Sequence, residues 1–165
     1  DEFNGIKNLV DAFVQLDTDY ELHLYGNGSY TATIKEISKT NSNIHYKGMI
    51  PHEEVVKVIQ KASFLVNPRT LNDQQIAYAF PSKTFDYLAS NTPVLSTKLP
   101  CLSEEYTQYM NFFDSDSVEA MKKGLESILL SNYEVLLNKA YQARLFIQDN
   151  KNNVLQADKI LQLVK

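Results

Sequence analysis

The run Phe64-Leu65-Val66 constrains the fold most: it is too short for a helix, and it has no polar alternate that could face water. A run of that kind is expected of a strand covered on both faces, as found in parallel sheets. Parallel strands need crossover connections, and the rest of the chain supplies them. Ile6, Leu9, Val10, Phe13, Val14 and Leu16 recur at helical spacing behind Gly5, so the chain opens on a helix with no strand before it. Tyr20 to Tyr25 alternates Leu22 and Leu24 and ends at Gly26-Asn27-Gly28, a strand entering a turn. A helix over Thr31 to Lys39, a strand over Ile44 to Lys47 ended by Gly48, and a helix opened by Pro51 follow. Glu53 and Glu54 stand in the first turn of that third helix, where negative charge is favoured.

Beyond the strand at Ser63 to Asn67 the chain loops from Arg69 to Ala79, starts a helix near Ser82, and enters a buried strand at Val94 to Ser96. A weak strand at Asn111 to Phe113 precedes closing helices at Ser115 to Leu130, Asn132 to Ile147 and Asn153 to Val164. This order implies an α/β sandwich over residues 1–165 as a single domain, with a mainly parallel, doubly wound sheet. Ligands of such sheets bind outside the carboxyl ends of the strands. Four loop signals fall on that rim: Gly26 with Gly28, Gly48, Arg69, and the helix start at Ser82.

The helix start carries the most chemistry. Pro81 suits a first helical turn, where Ser82, Lys83 and Thr84 are expected to present backbone N–H groups without intrahelical partners. Asp86 follows Ser82 by four positions, so its carboxylate lies one turn further along the same face, about 6 Å on. A diphosphate on the amides and the Lys83 ammonium would place an attached ribose within reach of Asp86. Pro-Ser is also an ordinary helix start, and lysines and aspartates on such helices are usually just solvated.

Other chemistries find less support. The net charge of −4, with scattered Lys and Arg, argues against a nucleic-acid surface. The single cysteine, Cys101, excludes an internal disulfide and fits a reducing, cytoplasmic setting. No apolar run approaches the ~20 residues that cross a bilayer, so direct membrane insertion is not expected. Gly26-Asn27-Gly28 fails as a dinucleotide fingerprint, because Thr31 occupies the third glycine position and Tyr46 and Lys47 stand where an acid is required. Lys83 lacks the glycines of a P-loop, and no Gly-x-Ser-x-Gly elbow occurs. His23, His45 and His52 lie in different elements without metal-ligand spacing, so no metal is expected. The ten tyrosines read as half-buried packing.

Several blocks together resemble the C-terminal, donor-binding domain of GT-B glycosyltransferases of family 4 (group 1), a Rossmann-like fold. These are Gly5 to Phe13, Leu22 to Gly28, Asn43 to Pro51 with Gly48 and Met49 in the loop over the base, and Ala62 to Pro68. The most specific is Phe80-Pro81-Ser82-Lys83 followed by Asp86 to Val94; with Ser96 to Pro100 and Glu104 to Tyr106 it is similar to bacterial members that build capsular or other surface polysaccharides. The family signature is a pair of glutamates separated by seven residues, and here Tyr78 and Asp86 occupy the two positions. Asp73, Gln74 or Arg69 would then take over the sugar contact. The family's phosphate-binding lysine position falls on Asn4 and its first strand is absent, which leaves Lys83 and Arg69 as the sources of positive charge.

The resemblance implies transfer of a sugar from a nucleoside diphosphate donor to an acceptor hydroxyl, with retention and without a bound metal or other cofactor. Lys83 and Arg69 are the expected catalytic cations, and Gly26, Gly28, Gly48, Met49, Tyr78, Phe80, Ser82, Lys83, Thr84 and Asp86 the ligand-binding set. An N-terminal acceptor domain lies outside the chain in that reading, which leaves this domain inactive alone and membrane-peripheral only through the missing part. A non-catalytic binding or interaction module of the same fold, or a nucleotide-sugar epimerase of related fold, are the alternatives; the second would need an acid and histidine cluster that the sequence does not display.

Overall fold

The computed structural model describes residues 5–71 and 80–163. Helix α1 (Ile6–Phe13) leads into β1 (Leu22–Tyr25), and α2 (Thr31–Thr40) into β2 (Ile44–Gly48). Then come α3 (His52–Lys61), β3 (Leu65–Asn67), α4 (Lys83–Ala89), β4 (Val94–Thr97), α5 (Glu104–Thr107) and β5 (Asn111–Phe113). Helices α6 (Val118–Leu129), α7 (Tyr133–Asn150) and α8 (Asn153–Leu163) close the chain. The expected alternation is present. One element was not expected: α5 has four residues, too few to leave a periodic signature.

All strand pairs among the described residues are parallel. They form a two-stranded sheet, β1–β2, and a three-stranded sheet, β3–β4–β5. Side chains alternate across a strand, and the two faces of the larger sheet accordingly enter different cores. Leu95 and Phe113, with Phe64 and Val66 against them, join Val10 of α1 and Met121 and Leu125 of α6. Leu65, Val94 and Phe112 turn the other way, toward Ile59 of α3, Leu88 of α4 and Ala143 of α7. β3 and β4 are thus covered on both sides, as the apolar runs Phe64-Leu65-Val66 and Val94-Leu95 require.

Leu22 and Leu24 of β1 share the first core with Phe64 and Val66, and Tyr20 meets Phe64 edge to face with ring centroids 5.8 Å apart. β1 and β3 nevertheless exchange no ladder hydrogen bonds among the described residues. The two sheets are neighbours across a core, not through a shared ladder.

Gly5 explains how α1 is seated. It caps the helix at φ 62°, and a Cβ there would lie 1.7 Å from the Pro68 carbonyl oxygen. Only glycine lets the start of α1 abut the end of β3 so closely. The amino ends of β1 and β3 meet at the Tyr20–Phe64 contact, and Leu24 and Val66 further along both face the first core, so the carboxyl ends of the two strands lie on the same side, or rim, of the domain.

Candidate functional site

Three pieces of that rim are defined by short-range bonds. Gly26 (φ 115°) and Gly48 (φ 73°) end β1 and β2 in conformations that disfavour other residues, and the Gly26 N–H donates to the Gly48 carbonyl at 2.8 Å. The Tyr46 hydroxyl donates to the Gly26 carbonyl, also at 2.8 Å. The two glycine turns therefore meet, and Met49, 77% exposed, stands beside them.

The second piece is the exit of β3. Arg69 is half-buried there, next to the Pro68 carbonyl that touches Gly5, and its charge acts on the Cys101 thiol. Burial dominates at Cys101 and pushes that thiol up. Asp116 straps this region: its Oδ2 accepts from the Leu71 N–H at 2.7 Å, and its carbonyl accepts from Asn8 Nδ2 at 2.8 Å. Lys7, in the first turn of α1, is engaged by Asp11 at 2.6 Å.

The third piece is the start of α4. Helical geometry already holds at Ser82 (φ −53°, ψ −35°), whose side chain caps nothing. The Thr84 N–H donates to the Pro81 carbonyl at 2.9 Å and the Phe85 N–H to Ser82 at 3.1 Å. Ser82, Lys83 and Asp86 are exposed, with Ser82 and Asp86 on one face. Asp86 opens onto a cleft of about 540 Å³ lined also by Phe85, Ala89, Tyr106, Ile147, Lys151 and Gln156. Burial, then the charge of Asp86, raises the adjacent Tyr87 phenol above its ordinary value.

One expectation at the helix start needs correction, and other expected residues have neighbours of their own. Thr84 cannot offer its amide, which Pro81 takes, and its side chain is buried in the core with an unpartnered hydroxyl. The half-buried Phe80 ring packs against Phe85 and Tyr106 at centroid distances of 4.8 and 5.2 Å. The Gly28 amide is already held by Asn27 Oδ1 and Thr31 Oγ1, each at 3.0 Å. The cleft at Asp86 is built with α7 and α8, and neither glycine turn lines it. Tyr78, Asp73, Gln74 and Asn4 lie outside the described residues. Residues the sequence reading passed over include Asp116 and the polar end of β4, where Ser96 and Thr97 are buried at the rim and Asn67 Nδ2 donates to Ser96 Oγ at 3.3 Å. The signal was present in Ser96-Thr97, hydroxyls closing an apolar strand.

Residues 2–157 match the family of group 1 glycosyl transferases, and the chain belongs to that family. Solved structures agree on the fold. Sucrose-phosphate synthase from Thermosynechococcus elongatus superposes with a TM-score of 0.78 at 17% identity, over 99% of this chain and 43% of that one. HepE of Anabaena, solved in complex with UDP, gives 0.78 at 11% identity, over 99% and 46%. The C-terminal domain of the group 1 family protein LpcC from Francisella tularensis gives 0.70 at 14% identity, over 93% and 82%. The chain thus spans less than half the length of the first two and most of the third, and its fold is that of the C-terminal half of a GT-B enzyme. No curated protein matches it.

Proposed function

We propose that this chain is the donor-binding part of a retaining glycosyltransferase that moves a sugar from a nucleoside diphosphate sugar to an acceptor hydroxyl, in capsular or other surface polysaccharide synthesis. The observation that carries the reading is the start of α4, where exposed Ser82 and Lys83 stand one turn before exposed Asp86 on a family-matched domain. The Ser82 and Lys83 amides and the Lys83 ammonium receive the diphosphate, and Asp86 accepts from the ribose hydroxyls. Negative charge grows on the departing diphosphate, so Lys83, with Arg69 across the rim, acts by electrostatic stabilisation and no bound metal takes part in the transfer. The glycine turns at Gly26 and Gly48, with Met49, flank the base. HepE, of the same fold, was solved with UDP, which favours a nucleotide ligand here.

The acceptor half and a strand preceding α1 belong, in this reading, to the rest of the enzyme, a cytoplasmic protein that meets the membrane only through that other half. That β1 and β3 share a core but no ladder among the described residues supports the strand. Alone, the chain binds donor without turnover. Calorimetric titration with UDP and GDP tests the assignment: Asp86→Ala should weaken binding by about 1.5–3 kcal/mol, roughly ten- to a hundredfold. Equal affinities in the two proteins would remove Asp86 from the site. The self-capped Gly28 amide favours a second reading, a non-catalytic interaction module, for which neither nucleotide should bind.

A further inference from the structure

The smaller sheet carries a second constellation, apart from α4. Parallel register sets His23 of β1 beside His45 of β2. Glu21, two residues before His23, falls on the same side of the pleat, while Leu22 and Ile44 point the other way into the core. Glu21 Oε2 lies 2.7 Å from His23 Nε2 and 3.4 Å from His45 Nε2. The two rings meet edge to face, with centroids 5.1 Å apart. One donor atom from each of the three residues lies within 4.8 Å of the others. His45 Nε2 is shielded from solvent and makes no hydrogen bond, so the cluster leaves one of its ligand atoms unsatisfied.

An ordinary surface ion pair would need only Glu21 and His23. A tetrahedral ion bound at about 2.0–2.2 Å separates its donors by about 3.4 Å, so the Glu21–His45 spacing already fits, and the shorter Glu21–His23 spacing opens by rotation of exposed side chains. Two imidazoles and one carboxylate suit zinc, copper or nickel, whereas magnesium and calcium take oxygen donors. We propose that Glu21, His23 and His45 bind a borderline divalent transition-metal ion of the zinc type, with water completing the coordination. The ion straps β1 to β2 on their exposed face and stabilises the smaller sheet. Lys47 acts on Glu21 from the same strand face, and its positive charge limits the affinity.

The chain titrated with Zn²⁺ should take up one ion with a dissociation constant on the order of 10 µM, weaker than four-ligand structural sites. His23→Gln and His45→Gln should each weaken uptake at least tenfold, and His52→Gln, outside the cluster, should leave it unchanged. Mg²⁺ should not bind. Circular dichroism checks that each variant folds. Independently of the variants, substoichiometric Ni²⁺ should broaden the imidazole resonances of His23 and His45 and spare those of His52. Absence of saturable Zn²⁺ uptake, undiminished uptake in the His23→Gln/His45→Gln double variant, or equal broadening of all three histidines would overturn the assignment.

Discussion

Gly5→Ala tests how the rim is held together. A left-handed conformation costs an L-residue about 1–2 kcal/mol, and that cost applies equally at Gly48. The positions differ in space: a Cβ at Gly48 meets nothing within 4 Å, whereas at Gly5 it lies 1.7 Å from the Pro68 carbonyl oxygen. Contacts of that kind are essentially never below 3.0 Å, so α1 must move by more than 1 Å or β3 must give way. Overpacking of this kind adds about 1–3 kcal/mol. Gly5→Ala is therefore expected to cost about 2–5 kcal/mol and Gly48→Ala about 1–2 kcal/mol, a large share of the ~5–15 kcal/mol available to a domain. Urea unfolding followed by circular dichroism measures both midpoints. Equal losses in the two variants would refute the close seating of α1 on Pro68.

Gly124→Ala gains helix propensity in α6 but drives a methyl to 2.5 Å from the buried Phe113 ring, so a net loss of about 1 kcal/mol is expected in the same unfolding assay. Asn91 holds φ 66° after α4; Asn91→Gly should be neutral or stabilising and Asn91→Ala destabilising by about 1 kcal/mol, read as opposite shifts in midpoint. Thr92→Val deletes the buried bond from Oγ1 to the Ile59 carbonyl (2.7 Å) and should cost about 1–3 kcal/mol by thermal unfolding. Glu105 and Lys151 form a bidentate pair at 2.8 and 2.9 Å. The bond to Lys151 holds the Glu105 carboxyl below its ordinary 4.5, and the bond to Glu105 lifts Lys151 above 10.5. The pair's contribution is then complete between those ordinary values, lost as pH falls through the depressed carboxyl value, and lost again as pH rises through the elevated lysine value. The Glu105 side chain is 44% exposed, so Glu105→Gln should cost only a few tenths of a kcal/mol at pH 7, and that cost should shrink as pH falls through the depressed carboxyl value.

The layered architecture was legible because short strand runs alternate with amphipathic helices along the chain: Phe64-Leu65-Val66 could hardly have been anything but a doubly covered strand. The division into two sheets was not legible, since ladder bonding between β1 and β3 leaves no mark on side-chain pattern. The helix start at Ser82 was readable from Pro81, and the exposed face with Asp86 followed from helical spacing. The Thr84 amide was misread because local spacing says where a residue sits on α4 but not which neighbour claims it, here the Pro81 carbonyl. The Glu21–His23–His45 cluster was invisible for the same reason in another form. It depends on the register of β1 against β2, and histidines twenty-two positions apart share no spacing rule.

Backbone ¹⁵N resonances of the chain, followed as UDP is added, test the central claim most directly. The account expects the Ser82 and Lys83 amides to move most, with Gly48 and Met49 following and the response collapsing in Asp86→Ala. Shifts confined to other surfaces, with the start of α4 silent at saturation, would contradict it.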